Sequence, residues 1–132
     1  MKVFQIKTTH QDERGSITDI VEQIDFNGAT IIESKKGSIR GNHYHKKTIQ
    51  YIYLLSGKLK AKSKKVDESM VEVVVQPGNL IFHEQLEAHC FEAIEDSLFL
   101  VLSSGLRTGK DYEKDTYRLN VLLEQFSETD LK

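Results

Sequence analysis

The stretch RGNHYHKK, residues 40–47, contains two histidines that are separated by a single residue. Arg40 and Gly41 stand shortly before His43 and His45. Side chains at positions i and i+2 of a β-strand point to the same face. If this stretch is a strand, both imidazoles enter the same space, with basic groups at either end. The pattern therefore predicts a strand that presents a histidine pair to one side of a sheet.

Segments typical of β-strands flank this stretch on both sides. They are rich in Val, Ile, Tyr and Phe, and turn residues such as Pro77-Gly78 separate them about every ten residues. Short strands at this spacing are typical of β-sandwiches and barrels, so we predict an all-β fold. The further predicted strands are 2–7, 16–23, 28–35, 49–57, 58–65, 70–76, 79–83, 88–94 and 97–104.

The end of the chain shows a different periodicity. Four apolar residues there follow the spacing i, i+3, i+4, i+7, which predicts one face of a short C-terminal helix. Asp115 or Thr116 would cap its N-terminus. The alternative is a strand, because TYRLNVL at 116–122 also has β-forming residues. The apolar positions are Leu119, Leu122, Leu123 and Phe126.

Length and composition predict a single domain over residues 1–132. A chain of 132 residues is one domain by length and can bury about two-thirds of its unfolded surface. Its net charge of −2 gives no basic field for nucleic acid. Cys90 is the sole cysteine, which excludes an intrachain disulfide and fits a reducing compartment. Since no signal peptide or membrane span is evident, we expect a soluble cytoplasmic protein.

Three histidines and one amide are candidate metal ligands. His43 and His45 would share a strand face, and His89 on another strand would complete three imidazole nitrogens. Gln50 could add a neutral carbonyl oxygen, so the site should hold its ion less tightly than one with glutamate. We expect that one divalent ion (Zn, Fe, Mn or Ni) can bind, and no organic cofactor. The alternative is that the histidines pack against tyrosines and hydrogen-bond one another.

The spacing around the histidine pair resembles the first cupin motif. That motif is a glycine, five residues, H-x-H, three or four residues, a glutamate, six residues and a glycine. Gly37, His43, His45 and Gly57 match it, while Gln50 stands where glutamate is usual. The resemblance implies a double-stranded β-helix, or jelly roll, with its site inside the barrel mouth.

The second cupin motif is matched less completely. Gly78 and His89 fit its glycine and histidine. The proline, glycine and asparagine of the motif are replaced by Glu84, Leu86 and Ala93. Together the two motifs cover the middle of the chain, residues 37–93.

The same residues also resemble motifs of two families of sugar-nucleotide enzymes. RGNHYHKKTIQ at 40–50 is similar to the R-G-x-H-x-H-K-x-x-x-Q segment of dTDP-sugar 3,4-ketoisomerases. DERG at 12–15 is similar to the D-x-R-G of dTDP-4-dehydrorhamnose 3,5-epimerases, whose R-G-x-H matches residues 40–43. Both families are cupins that work without metal. They remove a proton beside a sugar ketone and return it elsewhere.

The resemblance to these enzymes implies roles for particular side chains. Histidine suits proton transfer near neutral pH, and arginine binds phosphate oxygens bidentately. The tyrosines alternate along one strand and can equally be core residues. The implied roles are His43 or His45 as the base, Tyr51 or Tyr53 as the acid, Arg14 and Arg40 as diphosphate contacts, and Lys46 as a substrate contact beside the site.

A third resemblance, in contrast, implies a metal-binding site. The D-T-Y at 115–117, together with RGNHYH and His89, is similar to the metal-binding cupin domain of some capsular-polysaccharide reductases. All three resemblances imply nucleotide-sugar and surface-polysaccharide metabolism, but they differ on metal and on reaction.

The resemblances lead to one expected function and one alternative. We expect an isomerase or epimerase that acts on a nucleotide-activated keto sugar in cell-surface polysaccharide or deoxysugar biosynthesis. The alternative is a metal-binding cupin that binds a small molecule or activates oxygen in the manner of a dioxygenase. Because small cupins commonly cover strand edges with a second subunit, we also expect a homodimer.

Overall fold

The protein folds as two five-stranded antiparallel sheets and a separate two-stranded hairpin. The computed structural model describes residues 1–106, 109–111 and 113–132. The strands are β1 (Lys2–Gln5), β2 (His10–Asp12), β3 (Gly15–Ile17), β4 (Gly28–Ser34), β5 (Ile39–Tyr44), β6 (Ile49–Ser56), β7 (Leu59–Lys64), β8 (Val71–Val75), β9 (Asn79–His83), β10 (Ala88–Ala93), β11 (Ser97–Ser104) and β12 (Tyr117–Arg118).

The order of the strands in the sheets differs from their order in the chain. The first sheet runs β1-β9-β6-β11-β4 and the second β12-β5-β10-β7-β8, while β2 and β3 pair with each other. Such crossovers between two antiparallel sheets are those of a jelly roll. The predicted all-β class is confirmed, and no helix among the described residues is long and apolar enough to cross a membrane.

Strand alternation builds a core between the sheets. In β6 every second residue from Gln50 to Leu54 is buried, and β7 alternates in the same way from Leu59. Because successive side chains point to opposite faces, each strand contributes half of its residues to the interior. The largest core cluster joins both sheets through Ile52, Leu54, Leu59, Ala61, Val75, Ile81, Phe91, Ala93, Phe99 and Val101.

Most predicted strands lie within a residue or two of the observed ones, but one is largely wrong. Of the strand predicted at 16–23, only the start is extended, as part of β3. The residues between Ile17 and β4 form no strand, and Ile17 itself is exposed. The apolar residues of this stretch have a β pattern, but β3 pairs with β2 only as far as Ile17.

The C-terminal helix is not formed. Tyr117 and Arg118 pair with β5 as the strand β12, and two single 3₁₀ turns follow at Leu123–Gln125 and Glu128–Asp130. Leu122, predicted on the buried face, is 62% exposed. The helical spacing was misleading because non-helical backbone buries the other three apolar residues. Leu119 follows β12, Leu123 lies in the first 3₁₀ turn and Phe126 directly follows that turn. All three pack in a second cluster with Tyr44 and Ala88.

Gly41 allows β5 to approach β10 closely. It has a φ of +102°, and a Cβ at this position would lie 2.7 Å from the carbonyl oxygen of His89 and 2.9 Å from Cα of Cys90. The pairing of β10 with β5 shifts register between His89 and Cys90, as at a β-bulge. After this shift, His89 lies directly opposite His43. The glycine of the R-G-x-H pattern therefore positions two of the three histidines.

Substituting Gly41 with alanine should lower the free energy of unfolding by about 2–4 kcal/mol, from the positive φ and the overpacking against β10. Denaturant unfolding of the variant measures the loss. Gly37→Ala is the matched control, because Gly37 has a φ of +86° and a Cβ added there would meet nothing within 4 Å. Equal losses in the two variants would show that the contact with His89 carries no cost.

Candidate functional site

Three buried histidine rings meet between β5 and β10. The ring centroids of His43 and His45 are 4.9 Å apart, those of His43 and His89 are 4.8 Å apart, and those of His45 and His89 are 5.4 Å apart. The nitrogen atoms that could bind an ion all lie within 4.8 Å of one another. The structure thus brings the three predicted histidines together: His43 from β5, His45 from the position directly after β5, and His89 from the neighbouring strand β10.

Backbone carbonyls fix the tautomer of two of these rings. Nδ1 of His45 donates to the carbonyl oxygen of Asp115 at 2.7 Å, and Nδ1 of His89 donates to that of Glu87 at 3.0 Å. A carbonyl oxygen only accepts, so the proton of each neutral ring lies on Nδ1 and the lone pair on Nε2. Metal-binding histidines commonly have their other nitrogen bonded in this way. The same arrangement suits a general base.

Asp115 connects the C-terminal segment to the turn that follows β5. Its buried carboxylate accepts backbone N–H bonds from Lys46, Lys47 and Thr48 at 2.7–3.0 Å and the hydroxyl of Thr48 at 2.8 Å. Burial raises the pKa of Asp115, but these bonds outweigh burial and hold the pKa below its ordinary value. The residue predicted as a helix N-cap instead caps the turn beside His45.

A fourth histidine, His83, lies beside the cluster and was missed in the sequence. Its ring stacks on that of His89 with centroids 4.3 Å apart, and its Nδ1 donates to Oε1 of Glu87 at 3.1 Å. Its Nε2 is buried and has no hydrogen-bond partner among the residues that the structure describes. Glu87 also pairs with the amino group of Met1. Strand alternation could have indicated this residue. His83 ends β9 two residues after the buried Ile81, so both side chains point to the same inner face.

Burial and close contacts set the charges of His83, His89 and Glu87. Burial lowers the pKa of His83, and burial with the neighbouring histidines lowers that of His89 well below 6.5, so both rings are neutral near pH 7. Burial alone would raise the pKa of Glu87, but the bond to His83 and the charge of the amino group lower it to about 2. A neutral imidazole is the form that binds metals or accepts a proton.

These shifts predict a loss of stability in acid. Below pH 6.5 the unfolded chain protonates the imidazoles of His83 and His89, whose folded pKa is lower, so the free energy of unfolding should fall. Glu87 adds a second loss between pH 4.5 and about 2, because its folded pKa is depressed. Urea midpoints of chelator-treated protein from pH 8 to pH 4 test this. The His89→Gln variant should show a shallower fall, and a constant midpoint from pH 7.5 to 5.5 would contradict the prediction.

A cavity of about 660 Å³ opens beside the histidines. His43, His89 and Gln50 line it, whereas His45, which is 1% exposed, does not. Arg40 also lines the cavity, and its guanidinium donates to the hydroxyl of Ser34 and the carbonyl of Glu33, each at 2.8 Å. Most of the other lining residues are apolar and come from β4, β5, β6, β10 and β11, and β12 adds Arg118. This combination of an apolar wall and a few polar groups is typical of small-molecule sites.

Strand alternation places the two tyrosines that were predicted as acids on the face of β6 opposite to Gln50. Gln50 and Ile52 point inward from β6, so Tyr51 and Tyr53 lie on its other face. Neither lines the cavity, and the ring of Tyr51 packs 4.9 Å from that of Phe82. They are packing residues of the first sheet.

Two further predicted contacts also lie outside the cavity. Arg14 is exposed on the β2–β3 hairpin and pairs with Asp12 at 2.7 Å. The ammonium of Lys46 lies 4.5 Å from the ring centroid of Tyr117 on β12, and its backbone N–H donates to Asp115. Neither residue lines the cavity that contains His43 and His89.

A family model described as the polysaccharide biosynthesis C-terminal domain matches residues 10–103. The chain belongs to this family. The match includes all three clustered histidines and Arg40, whereas Asp115 lies beyond it. No protein of curated function matches the sequence.

Solved structures share the fold of this family member. The QdtA 3,4-ketoisomerase of Thermoanaerobacterium thermosaccharolyticum, a double mutant in complex with TDP, is 27% identical, with a TM-score of 0.72 over 89% of this chain and 86% of that chain. The RmlC epimerase of Mycobacterium tuberculosis is 17% identical, with a TM-score of 0.75 over 89% and 67%. These likenesses confirm the RmlC-like cupin jelly roll.

The capsular polysaccharide assembling protein CapF of Staphylococcus aureus also shares this fold. It is 23% identical, with a TM-score of 0.64, and the match covers 88% of this chain and 34% of CapF. The chain therefore spans about a third of that protein, and the likeness concerns the fold alone.

Proposed function

We propose that the protein is an isomerase or epimerase acting on a nucleotide-activated keto sugar in cell-surface polysaccharide or deoxysugar biosynthesis. The observation that carries this proposal is one cavity that combines the neutral His89 and its neighbour His43 with Arg40. The family described as a polysaccharide biosynthesis domain supports it. The likeness to QdtA in complex with TDP supports a nucleotide-sugar ligand.

His43 is the proposed base. It lines the cavity, whereas His45 does not and is held by the carbonyl of Asp115. An imidazole nitrogen removes the proton from the carbon next to the sugar ketone and leaves an enolate. Return of the proton to the former ketone carbon, while the proton of the neighbouring hydroxyl passes to the former ketone oxygen, gives a ketone isomer. Return of the proton to the opposite face of the same carbon gives an epimer. In either reaction the histidine ends in its starting state.

Arg40 is the proposed diphosphate contact of β5. Its bonds to Ser34 and Glu33 hold the guanidinium at the cavity wall and use two of its five N–H groups. A guanidinium held in this way loses little freedom when it binds phosphate oxygens. The apolar wall from Ile52, Phe91 and Phe99 would cover the sugar or base of the ligand.

Calorimetric titration with TDP tests this proposal. We expect saturable binding of one TDP per chain, and weaker binding of thymidine because it lacks the phosphates. Arg40→Gln should weaken TDP binding about tenfold, the loss expected for one charge-assisted contact. If neither TDP nor UDP binds to the wild-type protein, the proposed substrate class is wrong.

A second candidate function is favoured by the donor set itself. Nε2 of His45 and of His89 carry lone pairs, and a zinc ion bound by imidazoles at about 2.0–2.1 Å needs nitrogens roughly 3.4 Å apart. The observed span of 4.8 Å is close enough for small ring rotations. His43, His45 and His89 would hold the ion, with the oxygen of Gln50 nearby. When bound, a divalent ion would polarise a ligand carbonyl or activate oxygen.

The protein is further proposed to be a homodimer. The hairpin of β2 and β3 forms its own sheet, and an isolated two-stranded hairpin is only marginally stable. Phe4, Ile17 and Phe26 in the same N-terminal segment are about half exposed, and a second subunit would cover them. Gel filtration with light scattering should give twice the chain mass of 15.1 kDa. A mass of one chain at micromolar concentration would contradict the dimer.

A further inference from the structure

A second arginine lines the cavity from the strand next to Arg40. Arg118 belongs to β12, which pairs with β5 so that Arg118 lies opposite His43. Both arginines line the cavity that contains His43 and His89. The cavity therefore has guanidinium groups on two adjacent strands, and no role has yet been given to the second.

The guanidinium of Arg118 is held by the carboxylate of Glu113. Its Nη1 donates to Oε2 of Glu113 at 2.5 Å and its Nη2 donates to Oε1 at 3.0 Å. This is the parallel, bidentate geometry in which a guanidinium also binds a phosphate group. Both side chains are more than half exposed. Water competes with such exposed pairs, so separating them costs little.

We propose that Arg118 is a second binding residue for the diphosphate of the nucleotide sugar, and that the diphosphate replaces Glu113 on its guanidinium. The inference rests on the proposed substrate class. In the absence of ligand, Glu113 keeps the guanidinium oriented. When the ligand binds, the phosphate oxygens take the same two N–H groups, and the carboxylate turns to solvent. Glu113 thus orients the guanidinium when no ligand is bound and competes with the diphosphate for the same N–H groups.

The competition makes the two partners distinguishable. Removing Arg118 takes away an attraction for the ligand, whereas removing the charge of Glu113 takes away a repulsion and a rival acceptor. The two substitutions should therefore shift affinity for TDP in opposite directions. A pair that only stabilised the fold would respond in the same direction to the loss of either partner.

Calorimetric titration of the full-length variants with TDP and with thymidine tests this inference. Arg118→Gln should weaken TDP binding at least about tenfold, and Arg118→Lys by less, because lysine keeps the charge but not the fork. Glu113→Gln should tighten TDP binding about three- to tenfold. Thymidine affinity should not change in any of them, since thymidine carries no phosphate.

Lys114→Gln is the matched control. It removes one positive charge from the same segment, where Lys114 pairs with Asp111 and does not line the cavity. TDP affinity of this control should stay within about twofold of the wild type.

The remaining outcomes each overturn the inference. If Arg118→Gln binds TDP as tightly as Lys114→Gln does, Arg118 is not a ligand contact. If Glu113→Gln weakens binding as Arg118→Gln does, the carboxylate supports the site and is not displaced. If the wild-type protein binds neither TDP nor UDP, the proposed substrate class itself fails, and the inference fails with it.

Discussion

Replacing Asp115 by alanine is expected to lower the free energy of unfolding by about 3–5 kcal/mol, the loss that follows when several buried donors lose one charged acceptor. The carboxylate accepts four bonds from Lys46, Lys47 and Thr48. Without it, these groups find water only in part, because Thr48 is 1% exposed. The turn at Lys46–Thr48 would also no longer fix the position of His45, which directly precedes it. Denaturant unfolding of chelator-treated protein measures the loss.

Two further variants test whether the buried carboxylate causes this loss of stability. Asp115→Asn retains one carbonyl oxygen but turns an NH₂ group toward a backbone donor, so it should lose almost as much stability as the alanine variant. Asp96→Ala is the matched control, because Asp96 is an exposed aspartate that accepts a backbone bond from Lys36 at 2.8 Å. The free energy of unfolding of this control should fall by no more than about 1 kcal/mol. A loss of that size in Asp115→Ala would contradict the central role of this carboxylate.

The second large effect concerns metal binding. His89→Ala and His43→Ala should each lower the affinity for a divalent ion by more than about 100-fold, since even partners in the outer shell cost 10–100-fold. Each removes one of the three imidazoles that form the cluster among the described residues, and neutral Gln50 cannot compensate for the loss. Competition with a coloured chelator measures affinity, and elemental analysis of tag-free protein should find up to one ion per wild-type chain.

His10→Ala is the control for this measurement. His10 is an exposed histidine that pairs with Asp12 at 3.2 Å, outside the cluster, so its loss should leave the affinity unchanged. If the His89 variant binds zinc as tightly as the His10 variant, the cluster is not a metal site.

The sequence predicted the strands and the cluster well because both depend on local periodicity. Strand parity, together with the cupin spacing, indicates that His43 and His89 converge from two strands, and Gly41 and the bulge at His89 set the register of these adjacent strands. Strand alternation also separates the tyrosines of β6 from its inward-pointing residues. Gln50 and Tyr51 are neighbours on β6, so an inward Gln50 requires an outward Tyr51.

The missed residues belong to long-range contacts that no local pattern shows. Asp115 acts on a turn 67–69 residues earlier in the chain, and its buried environment follows only from the pairing of β12 with β5. The helical spacing near the C-terminus described the right buried residues, Leu119, Leu123 and Phe126, but not the backbone that buries them. His83 shows no ligand spacing, and its place beside His89 comes from the packing of the two sheets, since β9 belongs to the first and β10 to the second.

Proton exchange into a bound sugar tests the central claim most directly. TDP-4-keto-6-deoxyglucose, the compound bound to a mutant of the 25% identical QdtA, is incubated with chelator-treated protein in D₂O and followed by NMR. The account predicts deuterium on a ring carbon next to the ketone, at a rate that His43→Gln lowers by about 10²–10⁴-fold. If the sugar binds to the chelated wild-type protein and no ring proton exchanges, or if the His43 variant exchanges at the wild-type rate, the proposed chemistry of this cluster is wrong.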